Sequence, residues 1–284
     1  MTTTTPTPAR PKKLRRFFSS KVNTAAAVTI GVLLLLVLFA PIIAPADPDL
    51  QDLGNRFAGV SWEHPLGTDD FGRDTLSRLL YAGRVSLLTP PLAVGVAALV
   101  GIPAGLLAGT VGRSLDWWLG RAADAMLSIP PIVLAIAIVA VLGSSLTNAM
   151  IAIGFAYAPR LFRVTRGAAV STSKEVFIES AQSVGASRRR IVFLHVLPNS
   201  LGPVLVQVTL MMGFAMLAEA SLSFLGLGVQ VPNASWGTML RSAYNNSFEA
   251  PWAMVPPGVL LTVAILCFNI IGDGLRDVLS ERGH

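Results

Sequence analysis

The sequence predicts an all-α protein that crosses a membrane six times and carries a helical hairpin between two of the crossings. Apolar residues make up 52% of the 284 residues and charged residues only 13%, about half the charge of a soluble domain. Several apolar runs approach about 20 residues, the length of a helix that spans a bilayer. The basic residues are also divided unevenly between the segments that connect these runs, as in polytopic membrane proteins.

The chain begins with a polar, basic segment. Residues 1–11 are rich in Thr and Pro, and five basic residues follow them, so we predict a disordered cytoplasmic tail over 1–21. The uncharged run 22–46 is the predicted first transmembrane helix. A basic flank before an apolar run also suits a signal peptide, but this run is longer than a typical signal core and ends among prolines. We therefore expect an uncleaved span.

Residues 47–84 are too polar to cross a membrane, and they are predicted to lie on the extracytoplasmic side. Near the end of this segment, apolar positions follow a helical rhythm; they are Leu76, Leu79, Leu80 and Gly83. This rhythm predicts a short interfacial helix before the second span.

The core transmembrane domain is predicted over 85–272. It contains five further spans, at 85–110, 125–142, 147–162, 200–218 and 252–271. Prolines lie in or beside several spans, where neighbouring helices can satisfy the backbone groups that a kink releases. Residues 273–284 form a predicted cytoplasmic tail.

The distribution of basic residues predicts the orientation. With the N-terminus inside, all 22 Lys and Arg lie in cytoplasmic segments except Arg56, Arg73, Arg78, Arg84 and Arg241. This asymmetry predicts that both termini are cytoplasmic, and it explains the basic balance without a nucleic-acid partner. Three basic residues recur at the inner end of the fourth span and are expected to contact lipid headgroups; they are Arg160, Arg163 and Arg166.

A polar, basic loop over 172–198 separates the fourth and fifth spans. Thr172 and Glu175 match a capping box that would begin a short helix, and Gly185 suits the left-handed residue that ends one. Ser187 can cap a second helix, and Pro198 suits the first turn of the fifth span. The predicted apolar face consists of Val176, Phe177, Ser180, Ala181 and Val184, then Ile191, Leu194 and His195. Such a face packs on the membrane domain or enters a partner's groove.

The same loop resembles the EAA loop of the permease subunits of ATP-binding-cassette (ABC) importers. The matching residues are Glu179, Ser180, Ala181 and Gly185, followed after nine residues by His195 to Pro198. Ser180 replaces an Ala and His195 an Ile of the usual pattern, and the His–apolar–apolar–Pro–Asn ending is similar to the oligopeptide, dipeptide and nickel branch. Three more stretches match that branch, namely HPLGTDDFGRDTLSRLLYAGR (64–84), EASLSFLGLG (219–228) with PNASWG (232–237), and FNIIGDGLRD (268–277). The chain resembles the second permease of the pair.

The resemblance implies a type I ABC importer permease fold in a bacterial inner membrane. The hairpin would be a coupling helix seated in a cytoplasmic ATPase; the implied coupling residues are Glu179, Ser180, Ala181, Gly185, Ala186, His195 and Pro198. The implied partners are a homologous permease, two ATPases, an extracytoplasmic peptide-binding protein and membrane lipid. Di- or oligopeptides are the implied substrates, with nickel chelates or glutathione as alternatives.

Several polar residues outside the hairpin have two open interpretations. Glu219, Gln207 and Asn269 lie in apolar spans and either belong to the translocation path or its gate or form structural hydrogen bonds. His64 and Asp69 either contact the binding protein or hold their own loop together.

The sequence also excludes some chemistry. None of its four lysines follows a glycine, so the chain has no Walker-type phosphate loop; ATP and Mg²⁺ are expected on the partner ATPases, and no cofactor or metal is expected here. An ion-coupled secondary transporter would need mid-membrane carboxylates or inverted repeats, and only Glu219 offers one. An intramembrane hydrolase would need a base near Ser144 or Ser145, and no histidine lies at that depth.

Overall fold

The computed structural model describes residues 13–280, and helices dominate this part of the chain. The α-helices are α1 (Lys13–Phe17), α2 (Lys21–Leu38), α3 (Ala40–Ile43), α4 (Thr75–Val111), α5 (Arg113–Leu127), α6 (Pro131–Leu142), α7 (Leu146–Thr172), α8 (Val176–Ser183), α9 (Arg188–Ile191), α10 (Leu197–Phe224), α11 (Trp236–Asn245) and α12 (Val255–Ser280). Short 3₁₀ turns occur at Leu53–Asn55 and Pro251–Met254, and a π-helical segment at Val192–Val196.

The all-α membrane fold that the sequence predicts is confirmed. Within residues 13–280, four helical stretches are long and apolar enough to cross a membrane: Lys21–Leu38, Thr75–Val111, Arg188–Phe224 and Pro251–Leu279. The bent pair α5–α6 can add a fifth. The remaining long helix, α7, has 27 residues but carries three arginines in its second half. The count of six spans therefore stays a prediction.

The ends of the chain differ from the sequence prediction where the structure describes them. Residues 1–12 and 281–284 lie outside the described part. The predicted disordered tail is wrong for Lys13–Phe17, which is helical and contacts α12, with Phe17 buried. The helix of the sixth span continues beyond its predicted end at 272, since α12 runs to Ser280, and Gly274 packs against Asn23 of α2. The cytoplasmic location of residues 273–284 stays a prediction.

The first span is shorter than predicted. α2 ends at Leu38, and α3 restarts after Phe39 with a proline in its first turn. Pro41 has no N–H to continue the ladder of α2 and its ring excludes the preceding helical carbonyl, so the helix breaks there.

The predicted interfacial helix is instead the beginning of α4. This helix runs for 37 residues, about 55 Å, and therefore extends beyond a hydrocarbon core of about 30 Å. Leu79 and Ala82 are buried, and the Trp236 indole of α11 donates a hydrogen bond of 2.9 Å to the Leu79 carbonyl. Protein rather than lipid covers this turn, so the interfacial prediction is wrong.

The predicted third span, 125–142, is broken in two. α5 ends at Leu127, α6 begins at Pro131, and the helix axes turn by 92° between them. Pro130 and Pro131 remove consecutive backbone donors, and a proline also disfavours helical geometry in the residue before it. A straight helix therefore cannot pass through residues 128–130.

The core lies between α4, α7 and α10. Glycines spaced by four residues on α4 face α7, where a Cβ on Gly105 would lie 2.7 Å from the Cβ of Thr165, and one on Gly101 2.7 Å from the Ala158 carbonyl. Small residues at this spacing let two membrane helices approach closely. The close α4–α7 pair and α10 together carry the loop 173–196 at one end of the bundle.

Candidate functional site

The turn of the hairpin has the geometry that the sequence predicts. Gly185 has φ of +80° and follows α8. Its N–H donates to the Gln182 carbonyl (2.9 Å), and the Ala186 N–H donates to the Ala181 carbonyl (3.0 Å). These two bonds form a Schellman motif, which ends a helix and satisfies its last carbonyls. After this turn, the Ser187 hydroxyl accepts the Arg190 N–H and caps α9, as predicted.

The start of the hairpin differs from the prediction. Thr172 is the buried last residue of α7 and does not begin α8. The N-cap of α8 is Glu175, whose side chain makes no capping hydrogen bond. The predicted capping box is therefore wrong, because α7 continues through residues that a sequence pattern assigns to a new helix.

The second arm of the hairpin runs into α10 without a break. Pro198 is in the first turn of α10, as predicted. Proline cannot donate to the carbonyl four residues earlier and its ring crowds that carbonyl, and here the backbone widens into the π-helical segment Val192–Val196. The Asn199 side chain donates a hydrogen bond of 2.7 Å to the His195 carbonyl within this segment. Such π segments occur frequently at functional sites.

The base of the hairpin belongs to the core of the chain. Ile178 is 1% exposed and packs with Ile191 and Val196 against Leu106 of α4 and Ala169 of α7. In addition, the Arg188 guanidinium donates a hydrogen bond to the Thr110 carbonyl near the end of α4. The hairpin is therefore joined to α4 and α7 as well as to α10.

The outer side of the hairpin is apolar and exposed. The predicted face does not pack on the membrane domain, since Val184 is 84% exposed and Val176 and Phe177 are also exposed. The buried residue of α8 is Ile178, which the sequence pattern missed because it lies on the opposite side of the helix. On the second arm, Phe193 and Leu194 extend the exposed apolar surface.

The EAA-like residues occupy different environments on the hairpin. Glu179 is exposed, and its side chain makes no hydrogen bond or ion pair with residues 13–280. The Ser180 hydroxyl donates to the Val176 carbonyl within α8. Ala181, Ala186 and His195 are half-buried, and the His195 ring lies 6.3 Å from that of Phe177. Glu179 is thus free to meet another molecule.

Glu219 is fully buried at the far end of α10. It is 0% exposed, and the Ser223 hydroxyl donates to its Oε1 at 2.7 Å. Ser221 instead donates to the Leu217 carbonyl. Oε2 of Glu219 has no hydrogen-bond partner within the described residues. Glu219 therefore bonds to its own helix, and Ser223 in turn accepts the Val229 N–H of the loop that follows α10.

Gln207 and Asn269 are not grouped with Glu219. Gln207 precedes it by twelve residues on the same helix, about 18 Å along the axis. It lines a cavity of about 420 Å³ between α10 and α12, together with Arg276. Asn269 of α12 lies against α10, where a Cβ on Gly213 would be 2.9 Å from its Oδ1. The structure separates these polar residues into three places.

His64 and Asp69 belong to a hydrogen-bonded loop before α4. His64 Nδ1 lies 2.9 Å from Oδ1 of Asp74, which also caps α4 through the Ser77 N–H. Asp69 pairs with Arg73 at 2.8 Å and with Arg78 at 3.4 Å. Both residues thus have internal partners, and Asp69 also lines a cavity of about 530 Å³ between this loop and α11.

Some residues that hold these parts together were not singled out from the sequence. Trp236 is buried; its backbone N–H donates to the Ser86 hydroxyl and its indole to the Leu79 carbonyl. Ion pairs join Asp116 to Arg166 and Asp124 to Arg163, so these two arginines meet carboxylates rather than the expected headgroups alone. The two acidic residues of α5 could have suggested ion pairs from the sequence. Their partners, however, are about 40 to 50 positions away along the chain, so the sequence does not show which arginines they meet.

The fold and the hairpin together define a helical membrane protein with an exposed hairpin between two long helices. The chain belongs to the family of binding-protein-dependent transport system inner membrane components, whose model matches residues 101–282. A second model, the N-terminal transmembrane domain of oligopeptide transport permease C, matches residues 13–59. The chain is therefore a permease component of a membrane transport system.

Individual relatives agree with this assignment. The chain is 43% identical over 263 residues to the dipeptide transport system permease protein DppC of Alkalihalophilus pseudofirmus. The aligned residues cover 93% of this chain and 86% of the relative. It is 39% identical to the glutathione transport system permease protein GsiD of an Escherichia coli strain, over 94% of this chain and 89% of the relative. An inward-facing structure of the MetNI methionine ABC transporter shares the fold, with a TM-score of 0.59 and 19% identity over 72% of this chain and 96% of the other.

Proposed function

We propose that this chain is the transmembrane permease subunit of an ATP-driven importer of di- and oligopeptides, and that it forms half of the translocation path beside a homologous permease. The substrate class is supported by the name of the Alkalihalophilus relative. The observation that carries the coupling role is the hairpin: its base is buried in the core through Ile178, and its opposite side exposes Val184 and Glu179, whose side chain has no partner among residues 13–280.

The hairpin is proposed to seat in a cytoplasmic ATPase. Its exposed apolar side chains would fill a groove, as amphipathic helices do, and Glu179 would orient it by polar contacts. Gly185 holds the tight turn, Ala186 closes the Schellman bond, and the π segment before Pro198 connects the hairpin to α10. When two ATPases close on ATP, the attached ends of α4, α7 and α10 would move with the hairpins.

The remaining polar residues are proposed to act along the path. Gln207 and Asn269 lie on the facing helices α10 and α12, and Glu219 lies at the opposite end from the hairpin. His64 and Asp69 are proposed to shape the loop that meets an extracytoplasmic peptide-binding protein. The basic asymmetry supports an orientation with both termini cytoplasmic, and the family description and the bacterial relatives support a bacterial inner membrane location. ATP and Mg²⁺ would bind to the ATPases, and this subunit would perform no covalent chemistry.

Glutathione is the alternative substrate that the comparisons favour, since one relative is named as a glutathione permease. Uptake by the importer distinguishes the two substrates. For this measurement, the chain is reconstituted in vesicles with its homologous permease, the ATPases and the binding protein. We expect ATP-dependent uptake of labelled dialanine that excess dialanine inhibits and excess glutathione does not. Inhibition by glutathione alone would replace the peptide proposal. Uptake that needs an ion gradient and no ATP would overturn the importer proposal itself.

A further inference from the structure

Helix α5 has two different faces. On one face, Leu119 and Ala123 pack against Ala104 and Ala108 of α4 and Phe162 of α7. On the other, Trp117 is 53% exposed and Trp118 is 68% exposed. The core of residues 13–280 therefore holds α5 by one side and leaves two neighbouring indoles outside.

Ion pairs hold α5 against α7 at a defined position along the α7 axis. Asp124 Oδ1 lies 2.6 Å from Nη2 of Arg163, and Asp116 accepts two hydrogen bonds from Arg166. The arginines follow Leu146, the first residue of α7, by 17 and 20 positions, which corresponds to about 26 and 30 Å along the helix. This distance is close to the thickness of a bilayer's hydrocarbon core, about 30 Å.

The path through α6 leads in the same direction. α6 has 12 residues, about 18 Å, and Ser128 and Ile129 form a turn whose N–H groups bond back to Asp124 and Met126 of α5. Starting from the turn at 143–145, the ion pairs on α7 place α5 about 26 to 30 Å away, on the hairpin side of the membrane, and α6 runs toward the same side. Because the axis of α5 is turned by 92° from that of α6, an α6 aligned with the membrane normal leaves α5 parallel to the membrane plane.

The exposed face has the chemistry of a membrane interface. Indole rings are enriched at the level of lipid headgroups, and helices with apolar and basic side chains lie in this layer. The guanidinium of Arg121 lies 5.9 Å from the Trp117 ring centre, while both acidic side chains of α5 are paired with α7. Among the side chains of α5 that the structure describes, Arg121 is the charged one without an ion-pair partner, and its positive charge suits anionic headgroups.

We propose that α5 is an in-plane anchor whose Trp117 and Trp118 side chains enter the lipid interface on the hairpin side of the membrane. This leaflet is the cytoplasmic one if the proposed orientation holds, but the anchor itself does not depend on the transported substrate. Lipid contact at this level would keep the α5–α7 ion pairs at a constant depth while the hairpin transmits movement.

The single cysteine of the chain makes a direct test possible. In a Cys267→Ala background, a spin label is placed at Trp118→Cys, in the assembled importer reconstituted in vesicles of phosphatidylethanolamine and phosphatidylglycerol. Its accessibility to oxygen and to a water-soluble nickel chelate is measured by paramagnetic resonance. Trp62→Cys, 103% exposed on the loop before α4, and Val141→Cys, 85% exposed at the end of α6, are the reference sites.

We expect a mobile label at 118 with an oxygen-to-nickel accessibility ratio clearly above that at 62, together with exposure to lipid. A label at Ala122→Cys, one turn further on the same face, repeats the measurement if the Trp118 variant does not assemble. A nickel accessibility equal to that at 62 would place α5 in water. An immobilised label shielded from both reagents would place a partner protein on this face, and either result would overturn the proposal.

Discussion

The guanidinium of Arg188 donates a hydrogen bond to the backbone carbonyl of Thr110, and so links the first residue of α9 to the end of α4 across 78 positions of sequence. Charged donors form stronger hydrogen bonds than neutral ones, and this bond also satisfies a carbonyl in the last turn of α4. It makes the hairpin part of the α4–α7 unit.

Replacing Arg188 should therefore weaken coupling more than binding. We expect Arg188→Gln to lower the number of peptides imported per ATP several-fold, because the hairpin can then move without α4. The ratio of uptake to ATP hydrolysis in proteoliposomes measures this effect. Arg189→Gln is the matched control, since Arg189 has the same charge and exposure but makes no side-chain bond within residues 13–280. Equal ratios for the two variants would contradict the prediction.

Gly185 should tolerate only residues that adopt a positive φ. No atom lies within 4 Å of a Cβ built on it, so the cost of Gly185→Val is conformational, about 1–2 kcal/mol. We expect Gly185→Val to abolish peptide-stimulated ATPase activity while membrane insertion persists, and Gly185→Asn to retain most activity, since Asn also occupies this position in helix ends. Gly167→Ala, in an open position of α7, is the control; an active Val variant would refute the role of the turn.

The buried Ile178 should hold the hairpin in place. Truncation of a buried Ile to Ala costs about 2–5 kcal/mol, and here the loss falls on the contact between the hairpin and α4–α7. We expect Ile178→Ala to accelerate tryptic cleavage at the arginines of α9, whereas Val184→Ala, on the exposed side, should not. If both variants are cleaved at the wild-type rate, the hairpin does not depend on this contact.

The Ser223–Glu219 hydrogen bond should contribute to stability at the opposite end of α10. Ser223→Ala removes the donor to a fully buried carboxyl group, and leaving a buried polar group unpaired costs about 1–3 kcal/mol. We expect a lower thermal midpoint for Ser223→Ala in detergent. Ser221→Ala is the control on the same turn, because its hydroxyl bonds only to the helix backbone. An equal decrease of the thermal midpoint in both variants would show that the hydrogen bond from Ser223 to the Glu219 carboxyl group does not contribute to stability.

Local features of this protein could be predicted from the sequence. Gly185 ends a helix, Ser187 caps the next and Pro198 lies in a first helical turn because each depends on neighbours a few residues away. Long apolar runs are equally local, so most spans could be located to within several residues. The sequence also shows the prolines at 130 and 131. It does not show whether they kink the helix or end it, since a proline can do either in a membrane helix.

Contacts between distant segments could not be read in the same way. The apolar residues of α8 surround the helix, and only the packing of Leu106 and Ala169 decides that Ile178 faces inward and Val184 outward. Similarly, the arginines of α7 look like headgroup contacts until α5 brings Asp116 and Asp124 beside them.

The sequence by itself determined that this chain is an all-helical membrane protein with a capped, glycine-turned hairpin, because apolar runs and end-capping residues act over a few positions. Only the tertiary structure decided which face of the hairpin is exposed and how α5 packs, because these depend on which distant side chains compete to cover the same surface.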